Sequence, residues 1–256
     1  MKTFIGTLTL ALVLPGFASA QKAPTSSRAP ARGARDRGFL ALNGGIRTGA
    51  GTFSDTFTYQ VNVEDATTAV RYASKAAPLI DIAAGVHLWK KTVGLAVAVS
   101  RASVSAGAST ESQIPHPFFD NRDRQVSGPA GDLARTETAA HVQLYYLKRS
   151  GKWQTMLTAG PSYFNVEQDV VTGVTAVESF PFDTATFQDA RTKRGNGSAA
   201  GFNVGVDVGR MFSTSLGAGV LVRYSRGSVN FNVGDGHTVS ADIGGVQAGA
   251  GLRFKF

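Results

Sequence analysis

The chain has 256 residues, no cysteine, and 26 basic against 18 acidic side chains, for a formal charge of +8. The missing thiols exclude a disulfide framework and a lipid-anchored cysteine. Lys22, Arg28, Arg32, Arg35 and Arg37 against Asp36 put +4 into residues 21–37, and once Lys2 is set aside the rest carries only +3, so no basic face for nucleic acid is implied.

Residues 1–20, MKTFIGTLTLALVLPGFASA, have a lysine near the start, an apolar stretch from Phe4 to Leu14, a Pro15-Gly16 break and an Ala18-Ser19-Ala20 cleavage pattern. They predict a signal peptide and export by the general secretory route, which also takes the chain out of reach of nucleic acid. Residues 21–37, QKAPTSSRAPARGARDR, lack apolar periodicity and predict a disordered basic periplasmic leader. It is either a solvated linker or a contact for anionic cell-wall or lipid groups. After residue 20 no apolar run approaches the roughly 18 residues of a membrane helix, so strands must carry any insertion.

From residue 38 to 256 the period is two, and this stretch predicts one domain. Ile80, Ile82, Ala84, Val86 and Leu88 oppose Asp81, Ala83, Gly85 and His87; Val93, Leu95, Val97 and Val99 oppose Gly94, Ala96, Ala98 and Ser100. The same division recurs at 202–209 and 216–224, and Val246, Ala248, Ala250, Leu252, Phe254 and Phe256 oppose Gln247, Gly249, Gly251, Arg253 and Lys255. A sandwich needs bulk on its inward face; here one face is continuously apolar and the other is rich in Gly and charge, which suits a barrel with lipid outside. Strands are predicted at 38–48, 78–89, 92–103, 134–148, 152–166, 199–211, 215–227 and 241–256. Short turns at 89–92, 148–152 and 211–215 alternate with long polar connections at about 49–77, 104–133, 167–198 and 227–240. This rhythm predicts an all-β, antiparallel up-and-down transmembrane barrel of eight strands, with short periplasmic turns and long extracellular loops. The first long connection, TFTYQVNVEDATTAVRY, alternates Phe57, Tyr59, Val61 and Val63 with polar residues. It predicts a hairpin above the membrane or, as the other arrangement, two more strands in a ten-stranded barrel. Trp89, Tyr146, Trp153 and Phe256 fall at the periplasmic interface, and Tyr163 and Tyr224 at the outer one.

The terminal aromatic in GLRFKF, the signal peptide and the eight-strand rhythm resemble the OmpA/OmpX-like outer-membrane β-barrel superfamily. PHPFFDN (115–121), GPSYFNVEQDVVTGV (160–174) and PFDTATF (181–187) are similar to outer-membrane β-barrel domain proteins of Gram-negative bacteria. The resemblance implies localisation in the cell outer membrane and contact with its lipid and lipopolysaccharide. It also implies delivery by periplasmic chaperones and recognition of Leu252, Phe254 and Phe256 by the barrel-assembly machinery. It brings no catalytic motif.

The residues themselves predict no enzyme, no cofactor and no metal site. His87 shares a face with Asp81, and His141 shares one with Glu137, Gln143 and Tyr145, so both point inward, where hydrogen bonds to neighbouring carboxylates are expected; His116 and His237 stand in loops. Glycines at 201, 205, 209, 217 and 219 fit a crowded lumen rather than a nucleotide loop. The inward charges Arg47, Asp81, Glu137, Asp207, Arg223, Arg253 and Lys255, with His141, predict a paired network that plugs the lumen. Outside, Phe118, Phe119, Arg122 and Arg124 in one loop and Phe180, Phe182 and Phe187 in another either bind a surface ligand or pack into a rigid cap. The expected role is that of a monomeric, non-enzymatic anchor that supports membrane integrity and presents loops for adhesion or ligand contact. A narrow passive pore for ions or small solutes is the alternative, and an outer-membrane lipid-modifying enzyme stands third.

Overall fold

A computed structural model describes residues 37–49, 52–234 and 237–256. The predicted signal peptide and all of the leader but Arg37 lie outside the described residues. Ten strands are found among those described: β1 (Gly38–Arg47), β2 (Phe53–Val61), β3 (Glu64–Tyr72), β4 (Ala77–Trp89), β5 (Val93–Pro115), β6 (Asp123–Ser150), β7 (Trp153–Glu178), β8 (Ala185–Met211), β9 (Leu216–Gly234) and β10 (His237–Lys255). β1 pairs with β4 on one side and β10 on the other, and β4 through β10 pair in succession, all antiparallel, so eight strands close a ring. The hairpin β2–β3 stays outside the ring. Its turn residues Asn62 and Val63 both have positive φ, which matches the right-handed twist of a two-residue hairpin. The ten-stranded ring is therefore not adopted.

The periplasmic ends agree with the sequence pattern. Lys90 and Lys91 turn at φ 44° and 56°, Gly151 at 58°, and each joins strands whose inner ends lie within a residue or two of the predicted ones. The outer ends do not. The connections predicted as loops at 104–133 and 167–198 are long strand extensions: β5 stays paired with β6 as far as Pro115 and Asp123, and β7 with β8 as far as Glu178 and Ala185. Only 116–122 and 179–184 remain as turns. The region predicted at 227–240 is likewise mostly ladder, with Val229 opposite Ala241 and Phe231 opposite Val239.

The reason for these extensions is an inversion of the two faces along each strand. In the lower part the outward residues are apolar and exposed, among them Ile80, Val86, Leu95, Val142, Leu157, Val206, Val222 and Leu252. On β7 this belt runs from Trp153 to Tyr163, and ten residues of tilted strand cover about 25 Å of height, the thickness of an outer-membrane apolar band. One or two rungs above Tyr163, Phe202, Tyr224 and Val246, the outward residues become Glu167, Ser198, Arg226 and Asp242, while the inward ones become Phe164, Val166, Val170, Val229, Phe231 and Ile243, all buried. The extension thus has a water-facing wall and a core of its own. The hairpin completes that core with Phe57, Val70 and Tyr72 and is tied across to β7: the Val171 amide donates to the Tyr72 hydroxyl at 3.0 Å, and the Val174 amide to the Tyr59 hydroxyl at 3.2 Å.

Candidate functional site

Two places hold the residues singled out by sequence: the lumen within the apolar belt and the tip of the extension. In the lumen, strand parity aims Arg47, Asp81, Glu137, His141, Asp207, Arg223 and Arg253 inward, and all are buried. Each acid meets an arginine, and Glu137 meets a second, with Arg135 Nη2 3.5 Å from its Oε2. Arg223 Nη1 donates to Asp81 Oδ2 at 2.6 Å, Arg47 Nη1 lies 3.1 Å from Glu137 Oε2, and Arg253 is paired with Asp207 through two hydrogen bonds. Neutral amides link the pairs: Asn43 donates to Asp81 at 2.9 Å and accepts from Arg253 at 2.7 Å, and Gln247 accepts from Arg223 at 3.2 Å. A charge left unpaired here would cost on the order of several kcal/mol, so the pairing of Asp81, Glu137 and Asp207 with arginines is what lets the residues remain inside. Lys255 sits lower, half-buried at the periplasmic mouth with His87 and Arg149.

The histidines take partners other than the carboxylates expected. His141 lies between two serines, with Nδ1 at 2.7 Å from Ser162 Oγ and Nε2 at 3.2 Å from Ser100 Oγ; His87 Nδ1 lies 2.7 Å from the Tyr145 hydroxyl and Nε2 3.2 Å from Arg149. The acids were already taken by arginines, which bind a carboxylate more strongly than an imidazole does. Tyr145 in turn lies across Gly94, where a Cβ would stand 2.3 Å from its hydroxyl. The amides Asn43, Gln143, Asn203 and Gln247, with Ser100 and Ser162, form the rest of the plug; the sequence places Ser100, Gln143 and Gln247 on the inward face but gives them no role, because uncharged inward residues look like ordinary strand filler.

At the tip, the turns at 116–122 and 179–184 pack against each other. Arg124 is the clamp: Nη2 donates to the Pro115 carbonyl at 2.7 Å and to Glu178 Oε1 at 2.6 Å, and Nη1 donates to the Phe182 carbonyl at 3.0 Å. This corrects its assignment as a contact residue, because it is buried and spent on holding the two turns together. Phe182 is half-buried beneath Phe118, ring centroids 5.3 Å apart, and Phe187 is packed inward over Gly128. Arg122 pairs with Asp183 at 2.9 Å and lies over the Phe119 ring. The turn of the hairpin joins the same platform through Glu64, which accepts from the Asn121 amide at 3.1 Å. His116 is buried below, accepting from the Phe118 amide at 3.1 Å. What remains on top is apolar and open: Phe118 is 70%, Phe119 56% and Phe180 87% exposed. Cap packing and an open aromatic face thus coexist. The side chain of His237 lies outside the described residues, and no cluster of three metal-ligating side chains occurs among those described. Leu252 and Phe256 point outward into the apolar belt, with Phe254 partly covered.

No protein-family model matches the chain, and no curated protein matches it in sequence. Solved structures do match in shape. The outer membrane protease OmpT from Escherichia coli superposes with a TM-score of 0.50 at 9% identity, over 87% of this chain and 98% of that one. Neisserial surface protein A gives 0.45 at 11% identity over 85% and 97%, and OprG from Pseudomonas aeruginosa 0.43 at 10% over 86% and 97%. At such identities the likeness speaks for fold alone. Taken with the closed ring of eight antiparallel strands and the apolar outward belt, the OmpT match assigns the fold, an antiparallel up-and-down transmembrane β-barrel.

Proposed function

We propose that this is a non-enzymatic protein of the Gram-negative outer membrane: a plugged barrel that anchors a rigid extracellular stalk whose phenylalanine tip makes adhesive contact. The carrying observation is the tip itself. A buried arginine braces two turns into one platform, and yet three phenylalanines are left open on top of it. Large apolar groups in a braced, exposed patch mark interaction surfaces. The tip stands beyond about 45 Å of strand measured along β5 from Arg101 to Pro115, clear of the headgroup layer. The pairing of Asp81, Glu137 and Asp207 with arginines supports closure over conduction. A hydrolytic reading finds little support, since His141 touches two serines and no acid and is fully buried.

The test uses cells displaying the chain and a variant with Phe118, Phe119 and Phe180 all changed to serine, compared for cell–cell aggregation and for attachment to a hydrocarbon-coated surface, alongside planar-bilayer conductance of the refolded protein. The expected result is a drop in attachment of about tenfold, with silent bilayers. Equal attachment would remove the adhesive role, and steady conductance steps would replace the plug with a passive pore.

A further inference from the structure

The wall of the barrel is interrupted at one place. β4 pairs with β5 only up to Leu79 opposite Ala102, and β3 takes over the same edge only from Tyr72 opposite Ala108. Between them residues 103–107 of β5 have no strand on that side; a single hydrogen bond, Ala73 N to Gly107 O at 3.1 Å, spans the gap. The chain crosses there as Ala73-Ser74-Lys75-Ala76, one step before β4 enters the apolar belt at Pro78 and Ile80. The notch therefore lies at the height of the outer headgroups. Its outer part is open, about 750 Å³, and is lined by Ser54, Arg71, Lys75 and Ser109 among others. Inward it narrows to a cleft of about 30 Å³, space for one or two water-sized groups, which reaches Arg47, Arg135 and Gln168.

The cleft is lined by two guanidinium groups whose Nε atoms lack acceptors, although the terminal nitrogens of Arg135 are used by Gln168 Oε1, Glu137 Oε2 and the Asp242 carbonyl. Arg47 is 2% exposed; its Nη1 is used by Glu137 and the Gly244 carbonyl, but its Nε is buried without a partner, and so is that of Arg135. Among the described residues Lys75 enters no ion pair or hydrogen bond through its ammonium, and the one carboxylate touching any of the three cations is Glu137. The buried guanidinium of Arg47, the half-buried one of Arg135 and the exposed Lys75 ammonium at the mouth, against Glu137 and an Asp55 close enough to act on Tyr72 of the same lining, leave a positive excess that an oxyanion relieves well. Gly244 sharpens the point. At φ 94°, with Ser225 O 2.3 Å from where a Cβ would be, it keeps the β10 backbone close enough for its carbonyl to hold Arg47 in position.

We infer that this lateral notch binds a phosphate group, with Arg47, Arg135 and Lys75 as its donors and Arg71 at the rim. Two sources share that chemistry at this height: the phosphates of an outer-leaflet glycolipid and a free phosphate from outside. The experiment titrates the refolded full-length protein in micelles with inorganic phosphate and, separately, with bisphosphorylated lipid A and its dephosphorylated form, followed by ³¹P line broadening and calorimetry. Binding of inorganic phosphate assigns a free anion. Binding of the phosphorylated lipid alone, and not of its dephosphorylated form, assigns the headgroup. In either case Lys75→Glu, on the exposed connection where folding is not at stake, weakens binding about tenfold or more, and Arg135→Gln does the same if it folds. No binding of either probe, or equal binding by Lys75→Glu, overturns the assignment. Because the notch and the tip share no residue, serine substitutions at the tip leave this titration unchanged.

Discussion

The same strands build two chambers with opposite insides. Within the apolar belt, β8 shows Val204, Val206 and Val208 to the outside and Asn203, Asp207 and small glycines to the inside; six to eight residues earlier it shows Asn196 and Ser198 to the outside while its inner face covers Phe231. On β8 the register with β7 runs unbroken through the crossover, from Arg210 to Thr192. What changes is the solvent on the far side of the wall. In lipid the apolar residues go outward, and the narrow lumen left behind is filled by paired ions and amides. In water they go inward, and the extension becomes an ordinary β-domain with a core of Phe164, Val170, Phe231 and Ile243. The difference teaches that the stability of the lower chamber rests on exact pairing and that of the upper on burial.

The largest effect should therefore come from breaking a pair in the lower chamber. Asp81→Ala leaves the Arg223 guanidinium buried without its carboxylate and should cost about 3–5 kcal/mol. Replacing both partners by apolar residues of similar size should return most of that loss. The check is the urea midpoint of the heat-modifiable gel shift for the single and double variants. A single variant as stable as the parent would mean that water, not Asp81, satisfies Arg223.

A smaller effect should come from the outer wall, and it should depend on height. Val206→Lys, near the middle of the belt, should cost about 2–4 kcal/mol, because an ammonium there faces hydrocarbon. Ser198→Lys lies on the same face of the same strand, eight residues earlier and above the belt, and should change stability by no more than about 0.5 kcal/mol. Equal costs at the two positions, by urea titration in vesicles, would erase the boundary drawn between the chambers.

This inversion also explains what could be read in the sequence and what could not. The inner strand ends were legible because Trp89-Lys90-Lys91-Thr92 and Ser150-Gly151-Lys152 are turn chemistry next to clean alternation. The outer ends were not. Between the inward Val104 and Ile114 the inward positions are Ala106, Ala108, Thr110 and Ser112, too small and too polar to announce a core face, and at Gly131-Asp132 a residue with φ 49° shifts the inward positions from even to odd numbers. A search for one fixed parity loses the strand there. The luminal charges were legible as a set, since parity aims them inward, but not as pairs: Asp81 and Arg223 lie 142 residues apart, and only ring closure and register bring them together. Arg124 read as a surface cation because a single residue beside a turn carries no period to show that it points in.

The smallest effect should be found on the boundary itself. Arg226 and Asp242 form an ion pair at 3.2 Å across β9 and β10, Arg226 one rung above Tyr224 and Asp242 two rungs above Val246, with both side chains about half exposed. Geometry alone would make them a strong bond, but exposure to water screens the attraction and leaves each side chain free to hold solvent instead. A double-mutant cycle should thus give a coupling near the error of the method at ordinary ionic strength and none at about 1 M salt, where the screening length falls to about 3 Å. A large, salt-insensitive coupling would require a low dielectric around the pair. The hydrocarbon edge would then lie above Arg226 rather than below it, and the lower chamber would be one rung taller than the polar outward residues imply.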